Sequence, residues 1–235
     1  MLIDGLQKLS LLDYPGKIAA VIFTFGCNFR CGFCHNPRLV CPELRDVAAN
    51  IPEGTVMEFL QSRKKFLEGV AITGGEPTIQ ADLPDFIKKV KALGYLIKLD
   101  TNGTNSRVLG HLLEEKLLDF VAMDIKNSPA NYEKTVGRDV DLAEIRKSIA
   151  LIKESGVDYE FRSTIAEGLH EPVDILAMAE MIAGAKKYVL QPFVSRNELV
   201  DADFVGRRSF EDGAIREIAS QCEQSVQKCE VRSYE

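Results

Sequence analysis

Apolar and polar positions along the chain fall into short apolar runs that alternate with stretches of helical period. Residues 17–25 (KIAAVIFTF) are rich in Ile, Val and Phe and read as a buried strand. Runs of the same kind cover residues 70–73, 95–101, 120–125, 159–165 and 188–193. Between them apolar residues recur at helical spacing over 53–67, where Val56, Phe59, Leu60 and Leu67 repeat, and over 83–93, 108–117, 142–154 and 173–183. Gly156 stands just past 142–154, where a helix end favours a residue without Cβ. A last helix is expected over 212–222 and an edge strand over 229–234.

Six strand-then-helix units with short connections imply parallel pairing through right-handed crossovers. Six fall short of a closed (β/α)8 barrel. The expected fold is therefore α/β: a partial, open (β/α)6 barrel or a doubly wound sheet, with a short N-terminal extension and a C-terminal helix. No composition shift divides the 235 residues, so one domain is expected over 1–235. In such folds chemistry collects at the carboxyl ends of the strands. The unusual residues fall there: the cysteines after the first strand, Gly74-Gly75-Glu76-Pro77 after the second, and Asp100-Thr101-Asn102-Gly103 at the third. Asp124-Ile125-Lys126 ends the fourth, the fifth carries Arg162, and Gln191-Pro192-Phe193 ends the sixth.

Charge narrows the partners. Asp and Glu outnumber Lys and Arg by 35 to 29, for a net charge of −6, which argues against nucleic acid as the main partner. The first sixteen residues carry Asp4, Lys8 and Asp13 and lack the apolar stretch of a signal peptide, and the longest early apolar run is too short to cross a membrane. A cytoplasmic protein is expected. Six cysteines in a reducing compartment read as metal ligands or buried thiols rather than disulfides.

Cys27, Cys31 and Cys34, spaced C-x3-C-x2-C, can face one inorganic cluster from a single loop. A full 4Fe–4S site takes four cysteines, so three leave one iron with an open position. The competing reading is a structural zinc site completed by His35 or Cys41, although the adjacency of Cys34 and His35 strains a tetrahedral site and no second C-x2-C pair is present. On β-strand alternation, Glu160, Arg162 and Thr164 share one face of their strand, so Arg162 either pairs with Glu160 or reaches a ligand.

The loop with Phe33 before its last cysteine resembles the signature of the radical S-adenosylmethionine (SAM) superfamily, and Gly74-Gly75-Glu76-Pro77 resembles its GGEP motif. Cys34-His35-Asn36, Asp100-Thr101-Asn102-Gly103 and Asp124-Ile125-Lys126 resemble the glycyl-radical-enzyme activases. Gly5-Leu6-Gln7-Lys8-Leu9-Ser10, Asp13-Tyr14-Pro15-Gly16 and Gln191-Pro192-Phe193 resemble the longer anaerobic ribonucleotide reductase activating proteins.

The resemblance implies a partial barrel whose 4Fe–4S cluster, held by Cys27, Cys31 and Cys34, cleaves SAM reductively to methionine and a 5′-deoxyadenosyl radical. It implies that Gly74 and Gly75 carry the SAM amine with Glu76 shaping that end, that Lys126 lies near the SAM carboxylate or ribose, and that Phe33, His35, Asn102 and Arg162 belong to the cofactor site. In the resembled pyruvate formate-lyase activases, residues like Asp100, Thr101 and Asp124 help hold a monovalent cation; a turn with Gly103 at positive φ is the other reading. The implied partners are a glycyl radical enzyme, foremost an anaerobic ribonucleotide reductase, and a flavodoxin- or ferredoxin-type electron donor. A radical SAM enzyme acting on a small molecule or modified peptide is the alternative. One departure stands out: the pyruvate formate-lyase activases carry a His past the last core strand, where this chain reads Gln191-Pro192-Phe193-Val194-Ser195. Cys41, Cys222 and Cys229 are expected to be bystanders, His111 and His170 to be surface or core residues, and 195–212 to be a polar loop.

Overall fold

The computed structural model describes residues 1–195 and 198–233. Its first element was not expected: β1 (Ile3–Ser10) is a strand, pairing antiparallel with β2 (Ala19–Thr24). Only Ile3 and Ser10 of β1 are buried, so an edge strand this exposed carries no continuous apolar run to announce it. The other expected strands follow as β3 (Gly69–Gly74), β4 (Leu96–Thr101), β5 (Phe120–Asp124), β6 (Asp158–Ile165) and β7 (Tyr188–Pro192). The edge strand near the end is β8 (Cys229–Val231), parallel to β7; Tyr234, within the span expected for it, lies outside the described residues.

The eight strands form one sheet in chain order. That order never reverses, so the doubly wound alternative is excluded and the sheet is a singly wound, open partial barrel. The helices are α1 (Pro37–Val40), α2 (Glu53–Arg63), α3 (Leu83–Ala92), α4 (Ser106–Glu114), α5 (Tyr132–Val136), α6 (Leu142–Glu154), α7 (Pro172–Met181) and α8 (Asp212–Cys222). Neither α1 nor α5 was expected, because four or five residues are too few to show a period.

The two faces of the sheet differ sharply. On the outer face the parallel register aligns Leu99, Val121 and Tyr159, then Met123 and Phe161. The buried stripes of the helices supply the facing layer: Phe86, Ile87 and Val90 of α3, Leu109 and Leu112 of α4, and Ile145, Ile149 and Ile152 of α6. Each such side chain contributes about 1.5–3 kcal/mol on burial. The inner face instead aligns Asp100, Ala122 and Glu160, with Asp124 opposite Arg162 one step further. Tyr14 packs toward the barrel's lower end, its ring centroid 6.0 Å from Phe120, and a Cβ on Gly69 would lie 2.9 Å from it. No helix among the described residues is long and apolar enough to cross a membrane.

Candidate functional site

The carboxyl ends of the parallel strands surround a cavity of about 190 Å³. All fourteen residues singled out from the sequence line it: Cys27, Cys31, Phe33, Cys34, His35, Gly74, Gly75, Glu76, Asp100, Thr101, Asn102, Asp124, Lys126 and Arg162. Phe29, Asn36, Val40, Thr73 and Thr164 complete its wall.

The cysteine loop has no regular structure, so its shape comes from contacts made by its backbone. The Arg30 guanidinium donates to the carbonyls of Cys27 and Phe29, both at 2.7 Å, while the Arg30 amide donates to Val136 of α5 at 2.8 Å. From the other side, the amides of Val200 and Asp201 donate to the carbonyls of Cys34 (3.2 Å) and Gly32 (3.0 Å). The described part of the polar loop expected over 195–212 thus braces the cysteine loop; Arg196 and Asn197 lie outside the described residues. Gly32 is needed because a Cβ there would stand 2.6 Å from the Phe204 ring.

Burial pushes the thiols of Cys27 and Cys31 up, to about 12 and about 11, and raises Cys34. The unloaded site therefore holds neutral thiols that iron must deprotonate. Among the described residues no three His, Cys, Asp or Glu side chains close around a point that could hold a single metal ion. The thiolates of an iron–sulfur cluster bond different irons and need not close around one point. Three thiols on one cavity wall, flanked by apolar Phe29, Phe33 and Val40, fit such a group.

Gly74 and Gly75 bring two strand ends into close contact. Gly74 has φ of +116°, and a Cβ on it would lie 2.3 Å from the Thr24 amide; a Cβ on Gly75 would lie 1.9 Å from the Gly26 carbonyl. Their chain continues into hydrogen bonds from Gly75 N to Thr24 O and from Glu76 N to Gly26 O. The fully buried Glu76 carboxylate accepts from Thr78 N, Thr78 Oγ1, Thr101 Oγ1 and Asn102 N, at 2.6–3.1 Å. Burial raises the Glu76 pKa despite these four donors. Asn102 also donates to Asn28 at 2.8 Å, tying the Asp-Thr-Asn-Gly turn to the cysteine loop.

The residues expected to hold a monovalent cation have protein partners in this structure. Thr101 spends its hydroxyl on Glu76, and the two aspartates already have side-chain cations. Lys98, buried in β4, binds Asp100. Arg162 donates to Asp124 Oδ1 at 3.0 Å and to Asp100 Oδ2 at 3.3 Å, and Lys126 reaches Asp124 Oδ2 at 2.9 Å. Three cations thus hold two carboxylates, and of the three Lys126 and Arg162 line the cavity. Gly103 takes φ of +76°, as the turn reading required. Burial alone would raise Asp124, but Lys126 and Arg162 outweigh it and hold the carboxyl at about 2; the same pairing lifts Lys126 and Arg162 above their ordinary range.

The Glu160–Arg162 pair weighed from the sequence does not form as a hydrogen bond. Glu160 takes both its bonds from Arg232, at 2.9 and 2.7 Å, because the C-terminal β8 places that residue beside it, and Arg162 turns toward the aspartates. Where the last core strand lacks a histidine, His35 comes from the cysteine loop and stacks on Phe193 at 5.4 Å, its Nε2 2.8 Å from Val194 O. His170 is a core residue: Nδ1 accepts from the Ala166 amide and Nε2 donates to the Lys126 carbonyl at 2.8 Å, which steadies the strand end that carries Lys126. Cys41 and Cys222 are buried and Cys229 is half-buried, all three outside the cavity. Lys98, His170 and Tyr132 were missed as parts of this architecture; a lysine inside an apolar strand run was the one signal that could have exposed Lys98.

A partial barrel with a three-cysteine loop and a Gly-Gly-Glu turn at its carboxyl ends defines a class. The chain belongs to the radical SAM superfamily, whose family model matches residues 21–182. It is a radical SAM enzyme, with a 4Fe–4S cluster and SAM as its cofactors. Within that class it is 30% identical over 237 residues to a candidate glycyl-radical enzyme activating enzyme of Methanocaldococcus jannaschii, covering 99% of this chain and 96% of that one. It is also 30% identical over 183 residues to a GTP 3′,8-cyclase of Aquifex aeolicus, covering 76% of this chain and 55% of the cyclase. The structure of Streptococcus suis SuiB bound to S-adenosylmethionine shares the fold, with a TM-score of 0.66 at 14% identity over 92% of this chain and 52% of that one.

Proposed function

We propose that this chain, acting as one domain, activates a glycyl radical enzyme by taking one hydrogen atom from a backbone glycine of its partner. The observation that carries the reading is the end-to-end match to a candidate activating enzyme, against a match to the cyclase that spans about half of the cyclase. The three remaining cysteines do not line the cavity, which fits an activase without auxiliary clusters.

In this reading Cys27, Cys31 and Cys34 hold the cluster and leave one iron open to SAM. When bound and reduced, the cluster supplies the electron that cleaves SAM to methionine and the hydrogen-abstracting 5′-deoxyadenosyl radical. The residues around it position and shield. Gly74 and Gly75 permit backbone approach to the SAM amine, and Glu76 fixes that turn through its four donors. Lys126 and Arg162 present positive groups to the SAM carboxylate, while Asp100 and Asp124 hold them in place. Asn102 fixes the cysteine loop, and Phe33 and His35 wall off water.

The partner proposed is an anaerobic ribonucleotide reductase, on the N-terminal motif and on Gln191-Pro192-Phe193 without its histidine. A flavodoxin- or ferredoxin-type protein would supply the electron. A cytoplasmic setting is part of the proposal, since all six cysteines are unpaired.

The test is anaerobic incubation of reduced protein with SAM and an anaerobic ribonucleotide reductase. A glycyl radical doublet in the reductase's EPR spectrum is expected. SAM cleavage without a protein radical would favour the small-molecule reading that the cyclase match supports, and deuterium transfer from labelled candidates into 5′-deoxyadenosine would then identify the substrate.

A further inference from the structure

Lys98 stands on the inner face of β4, two residues before Asp100, and is 1% exposed. Its neighbours in the parallel register are Ala71 and Phe120, so neither strand beside it supplies a carboxylate in its own row. The ammonium reaches Asp100 Oδ1 instead, its one ion pair among the described residues, and it does not line the cavity. Burying an ammonium is costly, and Asp100 already has Arg162 as a cation. Neutralising Asp100 does not account for Lys98.

What Lys98 changes is the shape of the Arg162 contact. An arginine beside a free carboxylate commonly closes on it with two parallel hydrogen bonds. Two other arginines of this chain do so: Arg232 on Glu160 at 2.9 and 2.7 Å, and Arg45 on Asp4 at 2.7 and 2.8 Å. Arg162 does not. One oxygen of each of its carboxylates is already taken, Asp100 Oδ1 by Lys98 and Asp124 Oδ2 by Lys126. The guanidinium spans the remaining two: Nη1 meets Asp100 Oδ2 at 3.3 Å, while Nε and Nη2 each lie 3.0 Å from Asp124 Oδ1. Glu160, in the same row as Asp100, does not compete for it, because Arg232 holds both Glu160 oxygens.

We propose that Lys98 is a positioning residue for the cavity. By occupying Asp100 Oδ1 it keeps Arg162 from closing a two-pronged pair on Asp100, and holds the guanidinium across to Asp124 at the cavity wall. The proposal rests on the reading that Arg162 meets the SAM carboxylate.

The test takes full-length wild type, Lys98→Met and the double variant Lys98→Met/Asp100→Asn. Crystal structures of the unloaded proteins read the geometry, and equilibrium SAM binding after anaerobic reconstitution with iron and sulfide reads its effect. Lys98→Met is expected to fold, because Arg162 closes on the freed Asp100 and leaves no bare carboxylate. Its Arg162 Nε should stand beyond about 4 Å from Asp124 Oδ1, out of ion-pair range. Its SAM affinity should fall about tenfold, the worth of one charge-assisted hydrogen bond. Adding Asp100→Asn removes the charge that draws Arg162 aside and should recover most of that affinity. A Lys98→Met chain that does not fold, that keeps Arg162 on Asp124, or that binds SAM like wild type overturns the proposal. A double variant that binds SAM no better than Lys98→Met does so too, since that is the mark of a merely structural lysine. Arg162→Met separates the two claims. If it binds SAM like wild type, the reading of Arg162 falls and the proposal with it; if it binds weakly while Lys98→Met does not, the proposal falls alone.

Discussion

Arg162 of β6 stands opposite Asp124 of β5 in the parallel register, and its Nε donates to Asp124 Oδ1 at 3.0 Å. Because Ala122 is small, the same guanidinium also reaches Asp100 on β4, so one side chain spans three strand ends. This places a fixed cation over the cavity, between the two aspartates.

Replacing Arg162 by Met should therefore weaken both folding and SAM binding. Removing one partner of a buried pair costs about 3–5 kcal/mol; the loss should sit near the low end because Lys98 and Lys126 each keep one aspartate company. Arg162→Lys keeps the charge but not the fork that spans two carboxylates, and should recover stability more than SAM affinity. Urea unfolding and equilibrium SAM binding measure the two effects separately.

Gly75→Ala should be more damaging than its size implies. A Cβ there meets the Gly26 carbonyl at 1.9 Å, so the turn and the start of the cysteine loop must move apart. A loss on the order of 4 kcal/mol or more is expected, in the range reserved for backbone strain and core disruption. A melting temperature within a few degrees of wild type would contradict the close packing described.

Single alanine substitutions of Cys27, Cys31 and Cys34 should each abolish retention of the iron–sulfur chromophore, whereas Cys41→Ala should keep it. Cys41 is buried outside the cavity and serves no role there. Iron and sulfide content after anaerobic reconstitution reads the difference.

His170 should make stability depend on pH near neutrality. Burial lowers its pKa, and protonation would set a second N–H against the Ala166 amide. Above about pH 6.5 the imidazole is neutral in both folded and unfolded chains. Below it, the unfolded chain takes up a proton that the folded chain resists, so stability falls as pH drops from about 6.5 toward the folded value. His170→Gln should be less stable at pH 7.5 but should lose this slope, as melting curves at pH 7.5 and 5.5 would show.

The residues legible in the sequence are those that chemistry makes unusual at strand ends. Three cysteines, paired glycines before Glu76, and Asp124 two residues before Lys126 have few bland explanations when they recur at successive carboxyl ends. Long-range partners left no such trace. Arg232 lies 72 residues from Glu160 and meets it only because β8 completes the sheet beside β7. The partner of Asp100 left no trace for the same reason: Lys98 looks like an intruder in a strand until the barrel turns it toward Asp100. β1 and α5 were illegible because one is a half-exposed edge and the other too short to show a period.

The most direct test of the account is EPR of the anaerobically reconstituted, dithionite-reduced protein with and without SAM. A reduced 4Fe–4S signal whose shape changes on adding SAM is predicted, because three cysteines leave one iron open to it. A signal indifferent to SAM, or no cluster signal at all, would contradict the site.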